Sequence, residues 1–409
     1  MESDIIVHPA HPTVSATVST TVSTTASPQR QRRVFGSSRW LNSSRLLNSS
    51  RLLNSFRWLN SSRLPRFPFS PLLRLQPSAR AGLALAPSLR RQMPAGAPSF
   101  ARFSLLVACA ALVAAIVLYA HGYAAWRLLR PTIAPLSSNP LQAVGLAYDT
   151  VSFRTDAAVL EGWYITAPQR GSDTTVVLSH GYGGNREEIW VSFYTLAEAL
   201  HSRSYNVLMF DYGYVNRTLN RQRVVSGGVH EAAELNAAVA YARDNGASRV
   251  IVWGFSMGAG TALQAALHSD SPPDAMILDS AFIPDASTLS SQLSSRLPYA
   301  PDWSARLISR LLPLVGGPQL ADLPSAAASM AQYPMPLLLV HGLKDTLAPY
   351  TLSESIYASQ LHQPLSELWL PEKRGHEMTL RFQPDEYLQR AFRFIEQTAP
   401  PPKKITHKK

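Results

Sequence analysis

The chain has 409 residues, a formal net charge of +11 and a hydrophobic content of 46%. That is room for one domain of about 250 residues plus further segments, with ample apolar material for a core. The excess charge lies in one stretch, with no acid between Asp4 and Asp149 while arginines recur, so nucleic acid is not indicated as a partner.

Residues 1–100 read as a disordered, basic, low-complexity arm. A six-residue repeat occupies 37–64, with copies such as Ser43-Ser44-Arg45-Leu46-Leu47-Asn48. A period of six fits no helical repeat, and acid-free copies that each carry an arginine make a poor solenoid. Two other readings stay open: an arm that adsorbs to anionic lipid, or a chain whose translation starts at Met93. Residues 103–126 carry no charge and are long enough to cross a bilayer. Arg102 precedes them, and Tyr123, Trp126, Arg127 and Arg130 stand at the far end like interfacial anchors. A single-pass membrane anchor is expected, with the lipid bilayer as partner and the arm separated from the domain that follows. The arginine-rich N-terminal side places that domain outside the cytoplasm. The single cysteine, Cys109, falls in the span, so no disulfide within the chain and no cysteine metal cluster can form.

From 145 to 398 short apolar strands alternate with helical segments, which predicts an α/β fold with a mostly parallel sheet of about eight strands. Strands are expected near 148–153, 158–165, 174–179, 205–210, 249–254, 275–279, 336–341 and 366–370, and helices near 187–202, 229–245, 257–268, 351–361 and 385–397. After the third strand, His180-Gly181-Tyr182-Gly183-Gly184-Asn185-Arg186 is a loop whose glycines can curl around an anion. The backbone N–H groups of Tyr182 and Met257 are its candidate oxyanion donors. The run Gly254-Phe255-Ser256-Met257-Gly258 enters from the strand Arg249-Val250-Ile251-Val252-Trp253 and leaves into a helix. A strand, a sharp turn and a helix are what a G-x-S-x-G nucleophile needs, with the helix N-terminus facing the serine. Ser256 is the candidate nucleophile.

A serine hydroxyl needs a general base, and the base needs an orienting acid. Asp345 follows the strand ending at His341, and His376 follows the strand Ser366-Glu367-Leu368-Trp369-Leu370 on a loop entered through Gly375. The order serine, acid, histidine is the one expected with this turn. Asp279, which ends the strand Met276-Ile277-Leu278-Asp279, is the alternative acid. His180 and His341 read as structural histidines. Residues 283–333 form an insertion of two or three short helices, a cap whose Leu289, Leu293, Leu297, Leu307, Leu311 and Leu312 would line an acyl pocket. Asp285, Asp302 and Asp322 are its only candidates for holding a substrate ammonium. Residues 399–409 are a solvated tail.

The quoted motifs, together with Leu278-Asp279-Ser280-Ala281-Phe282 and His341-Gly342-Leu343-Lys344-Asp345, resemble the α/β-hydrolase superfamily over about 147–398. Within it they are similar to membrane-anchored bacterial hydrolases of the serine-aminopeptidase-like (S33) type and their animal relatives. The resemblance implies a serine hydrolase acting on a small ester, an acylglycerol or a short peptide, with ester cleavage favoured, no cofactor and no metal. The alternatives are an aminopeptidase-like peptidase and a catalytically silent scaffold that binds a lipid or a partner. One loop departs from the pattern. Many relatives carry Asp-x-Arg-Gly-x-Gly, where this chain has Asp211-Tyr212-Gly213-Tyr214-Val215-Asn216-Arg217.

Overall fold

The computed structural model describes residues 98–168, 173–220, 224–296 and 300–398. The basic arm with its repeat, Met93, Leu297 and the tail lie outside the described residues. From Leu105 onward the described residues belong to one compact unit.

Helix α1, Pro98–Leu129, comes first, followed by the short α2, Pro140–Val144, capped by the Asn139 side chain. Strands β1, Asp149–Arg154, β2, Val159–Ile165, and β3, Thr174–Ser179, open the domain. Then come α3, Phe193–Ser202, β4, Asn206–Phe210, α4, Val229–Asp244, β5, Arg249–Phe255, α5, Met257–Leu267, and β6, Ala275–Asp279. The insertion contributes α6, Ala286–Arg296, α7, Asp302–Leu311, and α8, Ser325–Met330. The chain closes with β7, Leu337–Val340, α9, Thr351–Ser359, β8, Glu367–Trp369, α10, Met378–Phe382, and α11, Pro384–Gln397.

The strands form one eight-stranded sheet in the order β1-β2-β4-β3-β5-β6-β7-β8. β1 and β2 pair antiparallel, as do β2 and β4, and every other pairing is parallel. Parallel strands need crossovers, and the helices that make them cover both faces. The central strands are therefore apolar throughout, and their two-residue period divides them between two cores. Val250 and Val252 of β5 face a core with Leu235, Ala238 and Leu263 of α4 and α5. Ile251, Trp253 and Phe255 face the other core, with Leu196 of α3 and Tyr387 and Phe394 of α11.

Two expectations change. The helix expected over 187–202 starts only at Phe193, because residues 188 to 192 form turns in which Glu188 and Ser192 take positive φ. The insertion does not act as a unit. Ala328 of α8 is buried in the main core, whereas α6 and α7 meet α1.

Helix α1 is long and apolar enough to cross a membrane, and most of its surface is exposed. At 1.5 Å per residue its 32 residues extend about 48 Å, whereas a bilayer core takes about 20 residues. The surplus is used at its C-terminal end. Ala125 and Leu129 are buried with Ile308, Leu312, Leu320 and Leu323, and Leu289, Leu293 and Leu311 pack around them. The His121 ring stacks on Trp303 at 5.2 Å, and its Nε2 lies 3.1 Å from the Ser304 hydroxyl. The apolar run is thus no free tether at this end. Four of the leucines expected to line an acyl pocket, Leu289, Leu293, Leu311 and Leu312, hold the helix instead.

Candidate active site

Ser256 sits between β5 and α5 with φ 49° and ψ −116°, a conformation that an L-residue holds only when its surroundings impose it. They do so through the backbone. Its N–H donates to the Asp279 carbonyl at 2.9 Å, and its own carbonyl accepts from Gly260 at 3.0 Å and Phe282 at 3.1 Å. The turn also needs close approach. A Cβ on Gly258 would run into the carbonyl oxygens of Ser179 and His180, and one on Gly254 would meet the start of α5.

The Ser256 hydroxyl lies 2.7 Å from His376 Nε2, and His376 Nδ1 lies 2.7 Å from Asp345 Oδ2. The carboxylate only accepts, so Nδ1 carries a proton and Nε2 is left to accept from the serine. Asp345 Oδ1 accepts the N–H groups of Leu347 at 2.8 Å and Ala348 at 2.9 Å. Its other oxygen also lies 3.2 Å from His341 Nε2. Burial alone would raise the Asp345 carboxyl, but the hydrogen bonds from His341 and His376 hold it well below the usual carboxylate range. His341, fully buried, has Ser353 on Nδ1 at 2.7 Å and the Ala348 carbonyl on Nε2 at 3.1 Å. It anchors the acid's loop and does not reach Ser256.

Asp279 is placed elsewhere. Its carboxylate accepts the Ser280 hydroxyl at 2.9 Å, while His376 turns its Nδ1 to Asp345. Burial pushes Asp279 up to about 6, with the Ser280 hydrogen bond opposing the rise.

The loop after β3 lies against the serine, with the Cβ position of Gly181 at 3.7 Å from Ser256 Cβ. The Gly184 N–H donates to the Gly181 carbonyl at 3.1 Å, closing a turn whose third residue, Gly183, has φ +77°. A positive φ there is what a type II turn asks of glycine. His180 fixes the loop from beneath. Its Nδ1 donates to the Gly181 carbonyl at 2.9 Å, and its Nε2 accepts the Tyr212 N–H at 3.3 Å. Burial pushes its imidazole down to about 4, so it is neutral at physiological pH. The Tyr182 hydroxyl donates to the Leu128 carbonyl at 2.7 Å, so the loop is tied to the end of α1. Met257 opens α5, and the N–H groups of a first helical turn have no partner within the helix.

Two acids near this site were not picked out from the sequence. Glu188 Oε2 accepts the Gly181 N–H at 3.3 Å, and Glu377 Oε1 lies 3.3 Å from the Gly181 Cβ position. Burial raises Glu188 to about 7, partly offset by the backbone N–H groups of Gly181 and Trp190. Glu377 is raised further by burial and by the carboxylates of Glu188, Asp279 and Asp345. Glu188 follows Asn185-Arg186-Glu187 and reads as the first turn of a helix; Glu377 was overshadowed by His376. Among the described residues no group of three or more His, Cys, Asp or Glu side chains is disposed to hold a metal.

This sheet order, with a strained serine at the β5–α5 turn, defines an α/β hydrolase. A family model for the α/β hydrolase fold matches residues 174–332. The uncharacterized protein MT2364 of Mycobacterium tuberculosis is 30% identical over 263 residues, which cover 61% of this chain and 83% of that protein. The uncharacterized protein YfhR of Escherichia coli is 27% identical over 221 residues, or 53% of this chain and 69% of its own. Among solved structures, the Pyrococcus furiosus esterase Pf2001 superposes with a TM-score of 0.51 at 25% identity, covering 66% of this chain and 99% of the esterase. The chain belongs to the α/β-hydrolase superfamily. It is a hydrolase of the α/β fold, with a small molecule as its substrate.

Proposed function

We propose that this protein is a membrane-anchored serine hydrolase that cleaves carboxylic esters through an acyl-enzyme on Ser256. The observation that carries the reading is the relay from the Ser256 hydroxyl to His376 Nε2 and from His376 Nδ1 to Asp345, 2.7 Å at each step. Asp345 keeps its charge and fixes the tautomer in which Nε2 can accept a proton. Ser256 Oγ attacks the ester carbonyl, and its proton passes to His376 Nε2. The carbonyl oxygen becomes an oxyanion, for which the Met257 and Tyr182 N–H groups are the proposed donors; one such donor contributes roughly 3 kcal/mol in the transition state. His376 then protonates the leaving alkoxide. A water, deprotonated by the same nitrogen, hydrolyses the acyl-enzyme and returns the proton to Ser256.

Ester cleavage is preferred to release of N-terminal amino acids because Asp285, the insertion's carboxylate closest in sequence to the β6 end, is occupied by the Ser287 hydroxyl and the Thr288 N–H, both at 2.7 Å. In this reading the α6 part of the 283–333 insertion caps the site; the Gln292 amide of α6 donates to the Leu347 carbonyl on the Asp345 loop at 3.0 Å. Helix α1 is the anchor, and the arginines before it keep the catalytic domain outside the cytoplasm. The test is a rate profile over p-nitrophenyl esters of increasing chain length beside aminoacyl amides. Ester turnover is expected to dominate. Faster turnover of the amides would replace this reading with a peptidase, and no turnover of either would leave a silent scaffold.

A further inference from the structure

A cleft of about 600 Å³ lies away from Ser256, between the chain leaving α1, the Asn185-Arg186 end of the loop after β3, and residues 211–218. Its third wall is the loop that departs from the superfamily pattern. Arg127, Arg130, Arg186 and Arg217 line it, against two carboxylates, Glu161 and Asp211. Both carboxylates are taken by Arg186, at 3.0 Å and 3.1 Å. Among the described residues Arg130 and Arg217 meet no carboxylate. Arg130 reaches the Val315 carbonyl, at 3.3 Å, and lies over the Trp126 ring at 5.3 Å. Arg217 donates to the Pro131 carbonyl at 2.6 Å and the Tyr214 carbonyl at 3.4 Å. Carbonyl oxygens orient a guanidinium without cancelling its charge, so the cleft holds fixed positive charge.

The cleft also has a defined place along α1. Tyr119, Tyr123 and Trp126 stack in succession, at 6.5 Å and 6.0 Å, like the aromatic belt of an interfacial helix. Trp126 and Arg127 enter the cleft, and Arg130 lies one turn, about 5 Å, beyond the belt. That is the depth at which phosphates of a bilayer lie when the belt marks the edge of the hydrocarbon. Guanidinium groups bind phosphate oxygens in pairs, and basic pockets at the end of a membrane helix fit lipid headgroups. We infer that this cleft binds a phosphate ester anion, with Arg130 and Arg217 as its principal contacts. The two sources of that chemistry are the headgroup of an anionic phospholipid and a soluble phosphate ester. The inference rests on the proposed membrane anchor for the lipid source, and not on the chemistry proposed for Ser256.

The test uses the full-length protein in phosphatidylcholine vesicles with or without phosphatidylglycerol, extracted in mild detergent, with retained lipid read by native mass spectrometry. Phosphatidylglycerol should be enriched about tenfold over its share of the vesicle. Arg217→Gln should abolish the enrichment. Because Arg217 also holds Pro131, the second variant is Thr218→Glu, which puts a negative charge on an exposed position of the rim. It should abolish enrichment while turnover of a soluble ester is unchanged. Glycerol 3-phosphate is titrated into detergent-solubilised protein in parallel. Enrichment that both variants lose assigns the lipid; no enrichment, together with glycerol 3-phosphate binding that both variants lose, assigns the soluble ester. No enrichment together with no glycerol 3-phosphate binding overturns the cleft, as does enrichment that persists in both variants. Protein that fails to float with either vesicle refutes the anchor alone, and the titration still decides the cleft.

Discussion

Leu129→Ala tests whether the end of α1 is part of the domain it precedes. The Leu129 side chain is 5% exposed and packs among Ile308, Leu312, Leu320 and Leu323. Facing it is Gly317, so near that an added Cβ would lie 2.5 Å from Leu129 Cδ1. Truncation therefore leaves a void that no opposing side chain can fill. Buried leucine-to-alanine changes cost about 2–5 kcal/mol. The low half applies here, about 2–3 kcal/mol, because the cluster is small and lies at the surface. The backbone bond from the Val225 N–H to the Leu129 carbonyl, 2.9 Å, survives the substitution. The loss falls on local opening of α6 and α7, not on the main cores, which share no residue with this cluster. Hydrogen exchange by mass spectrometry on the full-length protein in detergent should show amides of 286–296 and 302–311 exchanging about 30- to 160-fold faster, with β5 and β6 unchanged. Exchange within threefold of wild type would refute the docking of α1 on the insertion.

Three further substitutions probe the site. Asp345→Asn should lower kcat on a soluble ester by about 10⁴-fold, since the amide would favour the wrong tautomer of His376, whereas Asp279→Asn should cost about tenfold or less; the reverse order in steady-state kinetics would make Asp279 the orienting acid. Glu188→Gln should stabilise the protein only where the glutamate would otherwise ionise. Its carboxyl is raised to about 7 in the folded state, so ionisation opposes folding: the cost is absent below the ordinary glutamate range and grows as pH rises from there to about 7. Thermal unfolding of E188Q against wild type should show little difference near pH 4 and a gain of up to about 3 kcal/mol near pH 8; a gap that does not change with pH contradicts the assignment.

The sheet was legible because parallel strands buried on both faces must be continuous apolar runs. Val250-Ile251-Val252-Trp253 and Met276-Ile277-Leu278 could be read as such without the structure. The β5–α5 turn was legible because its glycines are dictated by backbone clearance at Gly254 and Gly258. What stayed hidden depends on long-range burial. Glu188 sits in a charged run that looks like an exposed helix start, and only the placement of Gly181 above it shows that it is enclosed. The composition of α1 shows that it can cross a membrane but not where lipid gives way to protein. Ala125 and Leu129 are as apolar as the residues before them, and their partners lie about 180 residues on. For the same reason the leucines of the insertion looked like an acyl pocket, while Leu289, Leu293, Leu311 and Leu312 pack on the helix.

The most direct measurement of the proposed chemistry is the mass of the protein after reaction with a fluorophosphonate, with peptide mapping of the adduct. One adduct is expected on Ser256, absent from Ser256→Ala and strongly slowed in His376→Ala, because the hydroxyl is nucleophilic only while Nε2 can take its proton. An adduct of equal yield in Ser256→Ala, or none on folded wild-type protein, would contradict the assignment of Ser256 as the nucleophile.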